Sequence, residues 1–346
     1  MPLRLLEIII PETSKKNVKE LIDEESVIGF WQEEASESGL LVKMLLSVEQ
    51  TEKILDLLEQ KFGGTEGFRV VLLPVEATIP RIEEQKPESK EPAEPEPEEE
   101  AEKKAPRISR EELYADIVDS TKFTNIYIAM IVLSAIVAAV GLLRDNVAII
   151  IGAMVIAPLL GPNVGLALAT TLGDLELGRN ALKTGFLGVA IALGFSVVIG
   201  FSVSVNPAIP EIAARTQVGL SDIVLALASG SAGVLAFTSG ASMALIGVMV
   251  AVALMPPLIA FGLLTGSGNL PEAVGALLLL VTNLICVNLA GVITFWVQGI
   301  RPRRWWEASK AKKATRLAIA LWSVLLVILV AVIILSRQTA LLNLLK

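Results

Sequence analysis

Histidine is absent from all 346 residues, and cysteine occurs once, at Cys286. The first absence removes the commonest transition-metal ligand and the usual side chain for proton exchange near neutral pH, so a histidine-based triad or zinc site is excluded. The second excludes an internal disulfide and a cysteine-based metal cluster; Cys286 lies in an apolar run and reads as a packed, inert thiol. No metal, no cofactor and no enzyme activity is expected, because no catalytic constellation can be assembled from what remains. The opening Met-Pro-Leu-Arg-Leu-Leu-Glu lacks a basic region followed by an apolar core, so a cleaved signal peptide is not expected.

What is abundant is apolar. Hydrophobic residues make up 53% of the chain and the mean hydropathy is +0.65, above the roughly 45–50% apolar content of soluble domains. Before residue 123 the apolar residues alternate with charge; beyond it they come in runs near the 20 residues that span a bilayer. The chain therefore reads as one soluble and one membrane-embedded body, with the lipid bilayer as its first partner. The net charge of -7 comes largely from an acidic stretch around residues 83–102 and describes a linker, so a nucleic-acid partner is not expected.

Residues 1–80 read as a ferredoxin-like βαββαβ domain. Strands are expected over 3–10, 27–35, 40–48 and 68–75, with amphipathic helices over 15–25 and 51–62. Such domains sense ligands or pair with a second copy, and a homo-oligomer, a dimer first, is expected. Residues 81–110 form a Glu- and Pro-rich tether too polar to bury a core. Residues 109–119 regain helical character and open the membrane domain, 111–346.

Seven spans are expected, at 123–143, 147–169, 180–203, 219–239, 242–265, 272–297 and 315–336. The fourth is the least apolar and could instead be re-entrant. Charge decides between these. Arg301, Arg303, Arg304, Lys310, Lys312, Lys313 and Arg316 precede the last span, and Lys103, Lys104, Arg107, Arg110 and Lys122 precede the first. Both clusters belong in the cytoplasm, which requires an even number of crossings between them. Six crossings satisfy this, giving a multi-pass protein of the cell membrane with its N-terminus inside and its C-terminus outside.

Residues 147–175 match 242–270 at an offset of 95, with 10 identities in 29 positions, from Ile151/Ile246 through Pro162/Pro257 to Leu175/Leu270. Spans one to three (123–203) and four to six (219–297) are then two copies of a three-helix unit, and the helix at 315–336 is extra. Three crossings per copy make the repeats inverted, an arrangement many secondary transporters use to exchange inward- and outward-facing states. Prolines punctuate both copies, Pro158 and Pro162 in one and Pro256 and Pro257 in the other, and each is expected to break or kink its helix. Backbone groups freed there must meet neighbouring helices, water or a passing solute.

These breaks are the candidate pathway for a small solute or ion: Pro158, Gly161, Pro162, Asn163 and Thr170 in the first copy, and Ser239, Ser242, Pro256, Pro257 and Asn283 in the second. Asn163 faces Leu258 across the repeat, so recognition should come mainly from the first copy. Asp145, Asp174, Glu176 and Asp222 fall near predicted helix ends and read as interfacial. Ser196-x-x-x-Gly200, Ala226-x-x-x-Gly230 and Gly262-x-x-x-Gly266 supply surfaces for close helix packing.

The segment Gly152-Ala153-Met154-Val155-Ile156-Ala157-Pro158-Leu159-Leu160-Gly161-Pro162, with the strand-like opening Leu3 to Pro11, resembles a prokaryotic integral membrane family catalogued as an uncharacterised hydrophobic domain of unknown function. The likeness covers the front domain and the first six spans, and implies the architecture without a substrate. A transporter or channel with a regulatory or oligomerisation domain is expected. The alternative is a membrane-anchored sensor or scaffold, whose proline breaks would be sealed by side chains instead of meeting water-accessible cavities.

Overall fold

The computed structural model describes residues 3–11, 27–35, 39–75, 78, 108–239, 243–300, 315–317 and 319–331. The expected helix over 15–25, the tether and most of the basic loop after residue 300 lie outside them. The chain divides into two compact units, Met1–Leu113 and Tyr114–Lys346.

The first unit holds strands β1 (Leu3–Ile10), β2 (Gly29–Ala35), β3 (Gly39–Ser47) and β4 (Arg69–Val75), with helix α1 (Val48–Phe62) between β3 and β4. All pairings are antiparallel and the spatial order is β2-β3-β1-β4. Alternation sets the faces: Leu6, Ile8 and Ile10 on β1 join Leu40, Val42, Met44 and Leu46 on β3 in a core closed by Ile54, Leu55, Leu58 and Phe62 of α1. Ser47 starts α1 by accepting a hydrogen bond from the Gln50 amide at 3.3 Å. At the far end, Phe62 stacks on Phe68 with ring centres 5.4 Å apart. Arg4 of β1 forms an ion pair with Glu112 at 2.8 Å.

The second unit is helical. Helix α2 (Arg110–Ser120) straddles the division and leads into α3 (Asn125–Leu143), α4 (Val147–Ile156), α5 (Leu160–Leu172), α6 (Leu175–Ser202), α7 (Pro210–Ala213), α8 (Leu220–Thr238), α9 (Met243–Gly266) and α10 (Leu270–Val297). Among the described residues α3, α6, α8 and α10 are long and apolar enough to cross a membrane, and the bent pair α4–α5 makes a fifth candidate. The stretch Ala253–Gly266 of α9 and the helix Thr315–Ala331 are shorter apolar segments. A fold dominated by such helices is that of a membrane protein. The stretch 219–239, weakest on hydropathy, forms one continuous helix of 19 residues, α8.

Helix bounds repeat at the offset seen in the sequence. Helix α8 begins and ends 95 residues after α3, and α10 begins and ends 95 residues after α6. The turn before each of the latter contains a glycine at positive φ, Gly173 at 72° and Gly268 at 82°, where a side chain would be strained. The carboxylates near helix ends act as caps. Asp174 accepts from the Glu176 and Leu177 amides at 3.0 Å each, Asp222 from the Gly219 amide at 2.7 Å, and Asp145 from the Glu211 amide at 2.9 Å.

Candidate membrane solute site

The two proline pairs behave differently. Ala157, which precedes Pro158, is extended at φ -66°, ψ 117°, as a residue before proline prefers. This ends α4, and α5 leaves at 54° to it. Pro162 then falls in the first turn of α5, where amides have no partner within the helix and a missing N–H removes nothing. In the second case α9 continues as one helix through Pro256 and Pro257. The expected break is therefore present in one segment, while the other keeps its helix and must satisfy the freed carbonyl otherwise. Pro257 cannot donate to the Ala253 carbonyl four residues back. The Asn283 amide nitrogen on α10 donates to that oxygen instead, at 2.7 Å.

Asn163 lies one residue beyond Pro162. Its side-chain nitrogen donates to the Leu159 carbonyl at 2.8 Å, and its oxygen accepts from Asn288 of α10 at 3.2 Å. Asn288 also donates to the Leu284 carbonyl at 2.9 Å. Asn283 is 6% exposed and Asn288 1% exposed, and the side-chain oxygen of each is buried without a hydrogen-bond partner among the described residues. Unmatched acceptors in so enclosed a place are costly unless something donates to them.

The other expected pathway residues are spread out. Pro158 is half-buried, while Pro162, Pro256 and Pro257 are buried. Gly161 is buried against the Ser120 carbonyl, where a methyl group would come within 2.5 Å of that oxygen. Thr170 turns its hydroxyl back to the Leu166 carbonyl at 2.7 Å, and Thr265, at the matching position, does the same to Phe261 at 2.7 Å. Ser239 is exposed beyond the end of α8 and bonds to the Ala236 carbonyl. Ser242 lies outside the described residues. The structure thus brings Asn163 to α10, and ties Asn283 to the proline segment of α9, but does not gather the whole set.

Residues 154–289 match the family model described as a domain of unknown function, DUF389. The chain is also 36% identical over 335 residues to the uncharacterized protein MJ0678 of Methanocaldococcus jannaschii, covering 96% of this chain and 99% of that one. The chain belongs to this family. The stretch that carries the DUF389 match runs from the last turn of α4 into α10 and so includes Asn163, Asn283 and Asn288. No solved structure matches the chain.

Reciprocal contacts tie the helices together. A methyl group on Gly262 of α9 would collide with the Ser196 hydroxyl of α6, and one on Gly291 of α10 would come within 2.9 Å of the Ala167 methyl of α5. Positions 196 and 291 are 95 apart, as are 167 and 262. Each contact is therefore the other with the partners exchanged. The three small-residue motifs are used here: Ser196 and Gly200 face Gly262 and Gly266, and Gly230 lies against Val287 and Ala290 of α10. Sequence reasoning missed Ser134, whose hydroxyl crosses from α3 to the Ala153 carbonyl of α4 at 2.7 Å. Its spacing of 95 from Ser229 was the available signal.

Proposed function

We propose that the chain is an integral membrane transporter or channel for a small solute or ion, built from two inverted repeats of three spans and an extra C-terminal helix, seven spans in all. One observation carries the reading: the reciprocal pair Ser196–Gly262 and Gly291–Ala167. Contacts that map onto themselves when the partners are exchanged are the signature of a two-fold relation. With three crossings per repeat, that axis lies in the membrane plane, and swapping the conformations of the halves gives alternating access. The broken α4–α5 helix and the unmatched Asn288 oxygen beside it supply the interruption and polar lining that such sites use. Catalysis is not part of this reading, since the sequence offers no plausible catalytic constellation.

In the same reading the N-terminal unit is a cytoplasmic ferredoxin-like domain that regulates or pairs the protein. The strand order β4-β1-β3-β2 and the α1 crossover support it. Pairing into a homodimer in the cell membrane is supported by the sheet face away from α1. There Trp31, Lys43, Glu7 and Val71 lie in one cross-strand row, with Trp31 50% exposed.

The sensor or scaffold reading is favoured by a different observation: Met255, Leu258 and Ile259 around the α9 prolines are fully buried, so that segment is sealed in this conformation. Labelling separates the two. After Cys286→Ala removes the sole cysteine, a cysteine placed at Asn163 should react with a membrane-impermeant maleimide in proteoliposomes of the full chain, and one placed at Leu258 should not. An unreactive cysteine at position 163, from either side and under all ionic conditions, would sink the transport reading.

A further inference from the structure

Asn288 of α10 has spent every hydrogen it can offer. Its two amide hydrogens go to the Asn163 oxygen at 3.2 Å and the Leu284 carbonyl at 2.9 Å. Its oxygen, with two lone pairs, is buried and unmatched among the described residues. Five residues earlier, the Asn283 oxygen is in the same condition while its nitrogen is held by the Ala253 carbonyl. The side chains are oriented by those backbone carbonyls, to which only the nitrogen end of each amide can donate, so neither amide can turn round without losing that bond.

We infer that the α5–α10 interface at Asn163 and Asn288 binds a small monovalent cation, with the Asn288 oxygen as its principal protein ligand. The inference rests on the transport reading for its role, though not for the site. Both hydrogens of Asn288 are used, so what Asn288 offers is an acceptor alone, which disfavours an anion; Asn163, one hydrogen of which goes to Leu159, keeps a second for a ligand's water. A neutral polar solute could give that oxygen a donor as well, and the salt series below separates it from a cation. Divalent cations of the hard kind are bound through carboxylates, and the carboxylates Asp145, Asp174 and Asp222 are held at helix ends as caps. A monovalent ion keeping part of its water shell fits such a site, held by amide oxygen as other ions are held by carbonyls in the membrane. Positions 258 and 193, related to 163 and 288 by the 95-residue offset, hold leucine, so the site has no counterpart in the other half.

The test uses the purified full-length chain in detergent, unfolded by heat in sodium, potassium or ammonium chloride, with N-methylglucamine chloride at equal ionic strength as the reference. One small cation should raise the melting temperature by several degrees over the reference, and Asn288→Leu should abolish that rise while still eluting as a folded species. Asn288→Asp should shift the midpoint of the cation titration at least tenfold lower. No cation-specific rise in the parent chain, or a rise that survives Asn288→Leu, overturns the site. Flux in proteoliposomes is read separately: flux unaffected by Asn288→Leu removes the cation site and leaves transport standing. A cation-specific rise with no flux of any small solute does the reverse.

Discussion

The crossing of α6 with α9 and the crossing of α5 with α10 occupy equivalent positions in the 95-residue register, yet they are built to different ends. At the first, Gly200 and Gly266 let backbones meet: a methyl group on Gly200 would strike the Leu263 carbonyl, and one on Gly266 the Val197 carbonyl. At the second, the equivalent residues are Phe295 and Thr171, both buried. Those wider residues stand where the glycines are in the first crossing, and Asn163 and Asn288 hydrogen-bond between the same two helices. Small residues give close packing where lipid offers no hydrophobic drive to associate. One crossing is therefore closed by glycine backbones, and its relative carries a buried polar pair.

The largest way to break that contrast is to give both crossings the same side chain. Gly266→Val must displace a backbone carbonyl and should cost about 3 kcal/mol or prevent recovery of folded protein, at the upper end of overpacking effects. Thr171→Val keeps shape and loses one hydroxyl bonded to the Ala167 carbonyl at 2.8 Å, a change of about 0.6 kcal/mol. Unfolding in mixed micelles measures both. Equal losses would mean that the two crossings are equally tight.

A smaller difference is expected at the carbonyls next to the proline segments. Asn283→Ala leaves the Ala253 oxygen without the donor that replaces the missing Pro257 amide, a loss of about 1–3 kcal/mol. Ser134→Ala removes a hydroxyl from the Ala153 carbonyl, but that oxygen keeps the Ala157 amide at 3.1 Å, and the loss should be about 0.6 kcal/mol. If the two variants unfold at the same denaturant concentration, the Ala253 carbonyl does not depend on Asn283.

Much of the contrast was legible in the sequence, because its causes are local or periodic. Runs of apolar residues locate α3, α6, α8 and α10 within a few residues, and alternation locates β1 through β4. The three small-residue motifs marked faces that the structure uses for close approach. What could not be read was how each proline would be accommodated. Whether Pro162 sits in a first turn or Pro257 in a helix interior depends on where the helix starts, and this follows from the extended Ala157 and from packing against Ser120. Nor does a sequence say which group on another helix an asparagine will reach: Asn163 and Asn283 stood out as polar residues in apolar runs, but Asn283 meets a carbonyl of α9 and Asn163 meets Asn288, 125 residues away.

The smallest expected effect is also the sharpest check on the register itself. Thr170 and Thr265 make the same bond, from hydroxyl to the carbonyl four residues back, at 2.7 Å in each. Both are half-buried. In a helix interior that carbonyl is the ordinary acceptor of the backbone amide four residues on, so replacing the hydroxyl by a methyl group leaves no polar atom stranded. Thr170→Val and Thr265→Val should each change stability by no more than about 0.6 kcal/mol, and by the same amount. Equality matters more than size, because these positions lie 95 residues apart on helices whose prolines are handled in opposite ways. A substantial loss at only one of them would mean that the divergence is not confined to the proline segments and the Asn163–Asn288 pair, but extends along α5 and α9 as a whole.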